Sequence, residues 1–171
     1  MKRRLSFAIL LIAWAGPAVG STETSPTRLL LHVHAHFSVG GFHGAPIEED
    51  LFLDTSGQVT SIVARQTRWP TGPDRWVVTR SSPVATRVLY GQFVRRLRAN
   101  GIGSQVGGCV VGAPILLTDG TLELTWYEGQ RVVIEASYGE TSTCPPELLN
   151  ILREIQAFAD AVGASGFGFP L

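Results

Sequence analysis

Three histidines at alternate positions are the residues of this sequence whose type and spacing best fit a chemical site. His32, His34 and His36 are separated by single small or apolar residues. On a β-strand this spacing places the three imidazoles on one face, about 6.5 to 7 Å apart along the chain. Two histidines at such a spacing can share a zinc ion, and His43 could return to them across a glycine-rich turn. The sequence therefore contains a candidate metal site.

The simpler interpretation is that these histidines form the solvated face of an amphipathic strand. Three ligands on one straight strand cannot all approach a single ion to about 2 Å. Arg28 and Leu30 share the histidine face, and neither side chain suits a metal site. We therefore expect no metal and no cofactor. A metal-binding protein or a metal-dependent enzyme that uses the histidine strand is the alternative.

Patterns for other kinds of catalysis are missing from the sequence. No serine lies in a strand-turn-helix elbow of the G-x-S-x-G type. The glycine pairs near residue 107 do not lead into a helix, as a nucleotide-binding loop must. The acidic run at residues 48–50 is expected to face water at a strand edge. We therefore predict no catalytic residue and a non-enzymatic protein.

A segment rich in tryptophan, proline and glycine is the candidate contact surface. Trp69 and Trp76 flank two prolines and a glycine. Tryptophans in such a constrained loop supply a large contact area at low entropic cost, as interface anchors do. The alternative is that both rings pack on the domain's own core.

The first twenty residues predict export. Basic residues at 2–4 precede an apolar run at 5–15, and small residues at 18–20 fit a cleavage site. The apolar run is short for crossing about 30 Å of hydrocarbon, so no stable membrane insertion is expected after cleavage. The mature protein is therefore predicted to be secreted or periplasmic.

Charge and cysteine content agree with that prediction. The chain has 14 basic and 14 acidic residues, and the predicted signal peptide takes basic residues only. A mature chain with a small negative charge has no electrostatic basis for binding nucleic acid or an anionic membrane. In an oxidising compartment, Cys109 and Cys144 are expected to form a disulfide rather than two buried thiols.

The periodicity of apolar residues predicts an α+β fold. Strands are predicted at 28–37, 48–53, 58–64, 114–118, 121–127 and 131–138, with a short edge strand at 76–79. Tight turns are predicted at Asp119 with Gly120 and at Glu128 with Gly129. One helix is expected to start at Ser82 and Pro83, and a second to be capped by Thr143 or Cys144. The expected architecture is an antiparallel β-sheet of about five or six strands with two α-helices packed on one face.

Four segments follow from these boundaries. Residues 1–20 are the predicted signal peptide, and residues 21–27 are a flexible lead-in. Residues 28–163 form a single α+β domain, and residues 164–171 form a flexible tail.

One short motif carries a resemblance to a known family. Gly40, Gly41, Phe42, His43 and Gly44 follow a strand near the predicted mature start and resemble the G-G-F-x-G segment of emfourin-like proteins. The likeness extends through residues 51–54, Asn100 with Gly101, Glu128 with Gly129, and residues 145–148, and so covers about residues 30–158. A member of that family inhibits a thermolysin-type metallopeptidase. The resemblance implies that Gly40, Gly41 and Phe42 are candidate binding residues.

The sequence as a whole predicts an exported binding protein without enzymatic activity. Its expected partner is a protein, with a co-exported metallopeptidase as the candidate that it inhibits or regulates. A structural envelope protein without a ligand is a further alternative, beside the metal-dependent one.

Overall fold

The computed structural model describes residues 28–39, 45–67, 75–112, 117–164 and 167–168. Within these residues the strands are β1 (Leu29–Val39), β2 (Ala45–Asp54), β3 (Val59–Thr67), β4 (Arg75–Ser81), β5 (Cys109–Gly112), β6 (Leu117–Trp126) and β7 (Val132–Gly139). Helix α1 (Arg87–Ala99) and a short 3₁₀ helix (Ile102–Ser104) lie between β4 and β5, and helix α2 (Pro146–Val162) follows β7. The predicted α+β class is confirmed, whereas the predicted count of five or six strands is too low.

The described strands form one sheet in the order β4-β3-β2-β1-β6-β7-β5. β1 lies in the middle and pairs antiparallel with both β2 and β6. β5 pairs parallel with β7, so the prediction of a purely antiparallel sheet is wrong at this edge. A Cβ at Gly107 would lie 2.6 Å from the backbone nitrogen of Glu135. Gly107 therefore allows close approach to β7, whereas the sequence pattern indicates only irregular structure before β5.

β6 is one continuous strand where two strands and a turn were predicted. Gly120 lies inside it and pairs with Phe37 of β1. A Cβ at Gly120 would lie 2.5 Å from the ring of Tyr138, and that ring packs edge-on against Phe37 with centroids 6.0 Å apart. The glycine thus makes room for an aromatic side chain and does not form a turn. The predicted turn at Glu128 and Gly129 does connect β6 to β7.

The two faces of β1 lie in different environments, as its alternating sequence predicts. Leu31 and Val33 are fully buried, and Phe37 is 4% exposed. They belong to one hydrophobic core with the buried residues of both helices, so the helices pack on this face of the sheet. The buried helix residues are Phe93, Val94 and Leu97 in α1, and Leu148, Ile151, Leu152, Ile155, Phe158 and Ala159 in α2. Leu30 was expected on the solvated histidine face, but it is buried, and the register with β2 shifts between Leu29 and Leu31.

Both helices start later than predicted. The N-cap of α1 is Thr86, whose Oγ1 accepts a hydrogen bond from the backbone N–H of Leu89. Ser82 and Pro83 do not start the helix. The Pro83 carbonyl instead accepts a hydrogen bond from the N–H of Val59, the first residue of β3, so residues 82 and 83 are held against that strand. Pro145 is the N-cap of α2, in place of Thr143 or Cys144. Gly163 ends α2 with a left-handed backbone, as the sequence predicts.

The predicted disulfide is present. Cys109 and Cys144 are bonded across a sequence separation of 35 residues, with their Cα atoms 4.8 Å apart. The bond ties β5 to the segment that leads into α2. None of the described helices has the length and apolar composition needed to cross a bilayer.

Candidate functional site

We use the term outer face for the sheet surface opposite the helices. The strand register places each histidine of β1 between one residue of β2 and one of β6 on this face. The three rows are Glu48–His36–Thr121, Asp50–His34–Glu123 and Phe52–His32–Thr125. The outer face is therefore a polar surface with histidines along its middle strand.

One carboxylate oxygen joins two of the histidines. The Oδ1 atom of Asp50 lies 2.9 Å from His32 Nε2 and 3.0 Å from His34 Nδ1. The His32 ring also stacks on Phe52, with centroids 4.3 Å apart and an interplanar angle of 7°. The side chains of His32, His34 and Asp50 are 23%, 39% and 27% exposed. These rings are thus held in place by neighbours rather than extended into solvent.

His36, the third candidate ligand, does not join this pair. His36 lies beside Glu48 instead, with Nδ1 and Oε1 3.8 Å apart. His43 lies outside the described residues. The described part of the chain contains no group of three His, Cys, Asp or Glu side chains placed to hold a metal ion. What the structure brings together is His32 and His34 with Asp50.

A cleft of about 430 Å³ lies on the outer face where β1, β6, β7 and the start of β5 meet. His34, Thr121, Glu123, Glu135 and Ser137 are among the residues that line it. Glu123 and Glu135 are directly opposite each other on β6 and β7, an arrangement that is unfavourable for two like charges. Thr125 Oγ1 donates a hydrogen bond to Glu123 Oε1 over 3.2 Å. The cleft is therefore acidic.

The charge of the outer face extends beyond the cleft. Glu48 and Asp50 lie on β2, two strands away from Glu123 on the same face. Arg80 of β4 lies in the same row as Asp50, at the edge of the sheet. The middle of the face is thus acidic, and this basic residue is at its margin.

Trp76 lies on the outer face at that margin, where it pairs with Gln66 of β3. It is 47% exposed, and the adjacent Val77 and Val78 are 53% and 52% exposed. Trp76 is therefore not part of the core. The interpretation that both tryptophan rings pack on the core is thus wrong for Trp76. Trp69, Gly40, Gly41 and Phe42 lie outside the described residues.

Glu49 has a buried carboxylate, although the acidic run at residues 48–50 was predicted to be exposed to solvent. It is 1% exposed and lies on the core face of β2, opposite Ala35. The prediction was wrong because β2 is an inner strand, and alternation puts Glu49 on the same face as Ile47 and Leu51. That alternation was the signal that could have identified it. Burial raises the pKa of Glu49, partly offset by a hydrogen bond from the Gly168 N–H to Oε2 over 2.9 Å.

Two buried polar atoms have no hydrogen-bond partner among the described residues, Glu49 Oε1 and the hydroxyl of Tyr138. Burial raises the pKa of Tyr138, and the charge of Glu49 raises it further. Of the predicted tail, Ala164 and Phe167 are buried in the core, and Gly168 contacts Glu49. This part of the C-terminal segment therefore packs against the domain.

Comparison with known proteins does not assign the chain to a family. No protein-family model matches the sequence. No curated protein is significantly similar to it either. The resemblance to emfourin-like proteins accordingly stays a prediction.

Proposed function

We propose that this chain is an exported, non-enzymatic protein that binds another protein through the outer face of its sheet. The observation that carries this proposal is the acidic cleft on that face, on the side of the sheet away from both helices. Complementary charge steers association and selects partners, so the face fits a protein with a basic surface. The shape and charge of the cleft support a binding role without requiring any catalytic group.

Export rests on two features of the chain. Residues 1–20 have the pattern of a signal peptide, although they lie outside the described residues. The disulfide between Cys109 and Cys144 is the second feature, since disulfides persist mainly in oxidising compartments. A secreted or periplasmic location agrees with both.

The candidate partner is a thermolysin-type metallopeptidase that is exported from the same cell. The support is the resemblance of residues 40–44 to emfourin-like proteins. On this proposal the protein occludes or regulates the peptidase and is not itself cleaved.

A titration of the peptidase with the mature protein tests this function. We expect hydrolysis of a peptide substrate to fall in proportion to added protein until an end point is reached. Hydrolysis that continues unchanged at a large excess of protein would contradict the proposed function.

A matched pair of variants locates the binding surface. Glu135→Lys places a cation in the cleft opposite Glu123, where it relieves the repulsion between like charges and so preserves the fold. It should weaken inhibition about tenfold, the effect of about 1.4 kcal/mol in binding free energy. Asp160→Lys makes the same change of charge on the exposed surface of α2 and should leave inhibition unchanged.

Metal binding is the second candidate function, and one contact favours it. His32 Nε2 and His34 Nδ1 each lie within 3.0 Å of the same carboxylate oxygen, Asp50 Oδ1. The hydrogen bonds to Asp50 are themselves a sufficient reason for that geometry. We expect protein purified without added metal to contain far less than one equivalent of zinc. A zinc content near one equivalent, lost when His32 and His34 are both replaced by alanine, would favour the metal-binding function instead.

A further inference from the structure

The two edges of the sheet are built differently. β5 at one edge has four residues and is tied down by the disulfide. β4 at the other edge has seven residues, and no described strand pairs with its free side. Edge strands are commonly protected from pairing with other chains by shortness, by proline or by a bulge. β4 contains no proline and pairs with β3 without a register shift, so it lacks these protections.

The side chains of β4 also favour burial. Trp76, Val77 and Val78 form three successive apolar residues that are each about half exposed. In a sheet, every second residue of an edge strand directs its N–H and C=O groups away from the neighbouring strand. The edge thus offers apolar side chains to an added strand, on a side where no described strand pairs with β4.

We propose that β4 pairs antiparallel with β4 of a second copy of this chain, about a two-fold axis at Val78. Residues that are directly opposite in an antiparallel pair lie on the same face of the sheet. Among two-fold registers, the one centred on Val78 is the one that pairs all seven residues of Arg75–Ser81. It sets Val78 against itself, Trp76 against Arg80 of the other copy, and Val77 against Thr79 of the other copy.

These pairs are chemically complementary. Trp76 and Arg80 both lie on the outer face, where the guanidinium of one copy can cover the indole of the other in a cation–π contact. The pairing occurs twice because of the two-fold axis. Val77 with Thr79 and Val78 with Val78 are β-branched pairs, which pack well across strands. A second copy is therefore the occupant that this edge fits.

Repulsion between the two copies of Arg80 does not oppose this pairing. The two copies of Arg80 lie two residues on either side of the axis, and at about 3.4 Å per residue they are about 14 Å apart. Charges on the surface are largely screened beyond about 8 Å at physiological ionic strength. The pairing would join two sheets edge to edge and present both acidic clefts on one continuous outer face. The inference concerns assembly and holds whether or not the peptidase is the partner.

Sedimentation velocity of the mature protein and two variants tests the proposal. We expect the wild-type protein to sediment as a dimer. Val78→Glu and Val78→Lys should each be monomeric, because each places two like charges opposite each other at the axis. An equimolar mixture of the two variants should restore the dimer, since opposite charges then meet. Val78 is 52% exposed in the single chain, so both variants should keep their fold.

Val88→Glu is the matched control, because Val88 is also exposed, at 68%, and lies on helix α1 rather than on the edge strand. This variant should remain dimeric. A wild-type protein that is monomeric at every concentration up to its solubility limit would overturn the proposal, as would dimeric Val78 variants. A mixture of the two Val78 variants that stays monomeric would rule out the two-fold register at Val78. None of these outcomes depends on peptidase binding, so failure of the proposed function is measured separately.

Discussion

At the scale of single residues, the buried carboxyl of Glu49 makes the stability of the protein depend on pH. Its carboxyl lies on the core face of the sheet, and burial raises its pKa above the ordinary value of 4.5. The folded protein therefore binds this proton more tightly than the unfolded chain does. The resulting contribution to the free energy of unfolding is fully present below pH 4.5 and is lost as the pH rises through the raised pKa.

Replacing Glu49 with glutamine should remove this pH dependence. Glutamine keeps an oxygen that can accept the hydrogen bond from the Gly168 N–H but carries no charge. We expect the free energy of unfolding of Glu49→Gln to fall less between pH 4 and pH 8 than that of the wild-type protein. Urea denaturation across that range measures it. Glu140→Gln, at an exposed carboxylate outside the cleft, should keep the wild-type slope, and equal slopes for all three proteins would show that burial of Glu49 has no such effect.

The histidines show how far single residues could be interpreted from the sequence. Their alternation correctly predicts that His32, His34 and His36 share one face. Their partners could not be predicted, because Asp50 and Phe52 reach them through the register of β2, which a single sequence does not reveal. The opposed pair of Glu123 and Glu135 depends in the same way on the register of β6 and β7.

At the scale of elements, strands with strict alternation were predicted well and glycine-containing strands were not. β1 alternates because one of its faces is buried, so its pattern identifies both the strand and the core residues Leu31 and Val33. β5 and the middle of β6 contain glycines that serve close packing, which sequence rules interpret as turns. The start of α1 was misplaced because a hydrogen bond from the Val59 N–H of β3 to the Pro83 carbonyl outweighs the local preference of Ser82 and Pro83 to begin a helix.

Gly120 and Gly91 offer a paired test of this account of glycine. Gly120→Ala should destabilise the protein by about 1 to 3 kcal/mol, because the added Cβ overpacks against Tyr138 and the His36 carbonyl. Gly91→Ala, in α1, meets no described atom within 4 Å and should stabilise the helix by about 1 kcal/mol. Denaturant unfolding of both variants measures whether the free energy of unfolding falls for Gly120→Ala and rises for Gly91→Ala. A neutral Gly120→Ala would mean that Tyr138 can move aside without cost.

At the scale of the whole molecule, the described elements place the apolar and the acidic surfaces on opposite sides of one sheet. The helices bury the apolar side in a core that the disulfide helps to hold. The other side keeps its histidines, carboxylates and cleft accessible, with Trp76 at one margin. The α+β class and this division into two faces followed from the sequence. The cleft did not, because it depends on the pairing of β1 with β6 and of β5 with β7, which local sequence patterns do not reveal.

Calorimetric titration of a thermolysin-type metallopeptidase with the mature protein tests the central claim, binding through the outer face, most directly. The account predicts saturable binding that weakens as the salt concentration rises, because complementary charges are screened. It also predicts that Glu135→Lys binds about tenfold more weakly while Asp160→Lys binds like the wild-type protein. Absence of binding, or equal affinities for the two variants, would contradict the claim that this face is the binding surface.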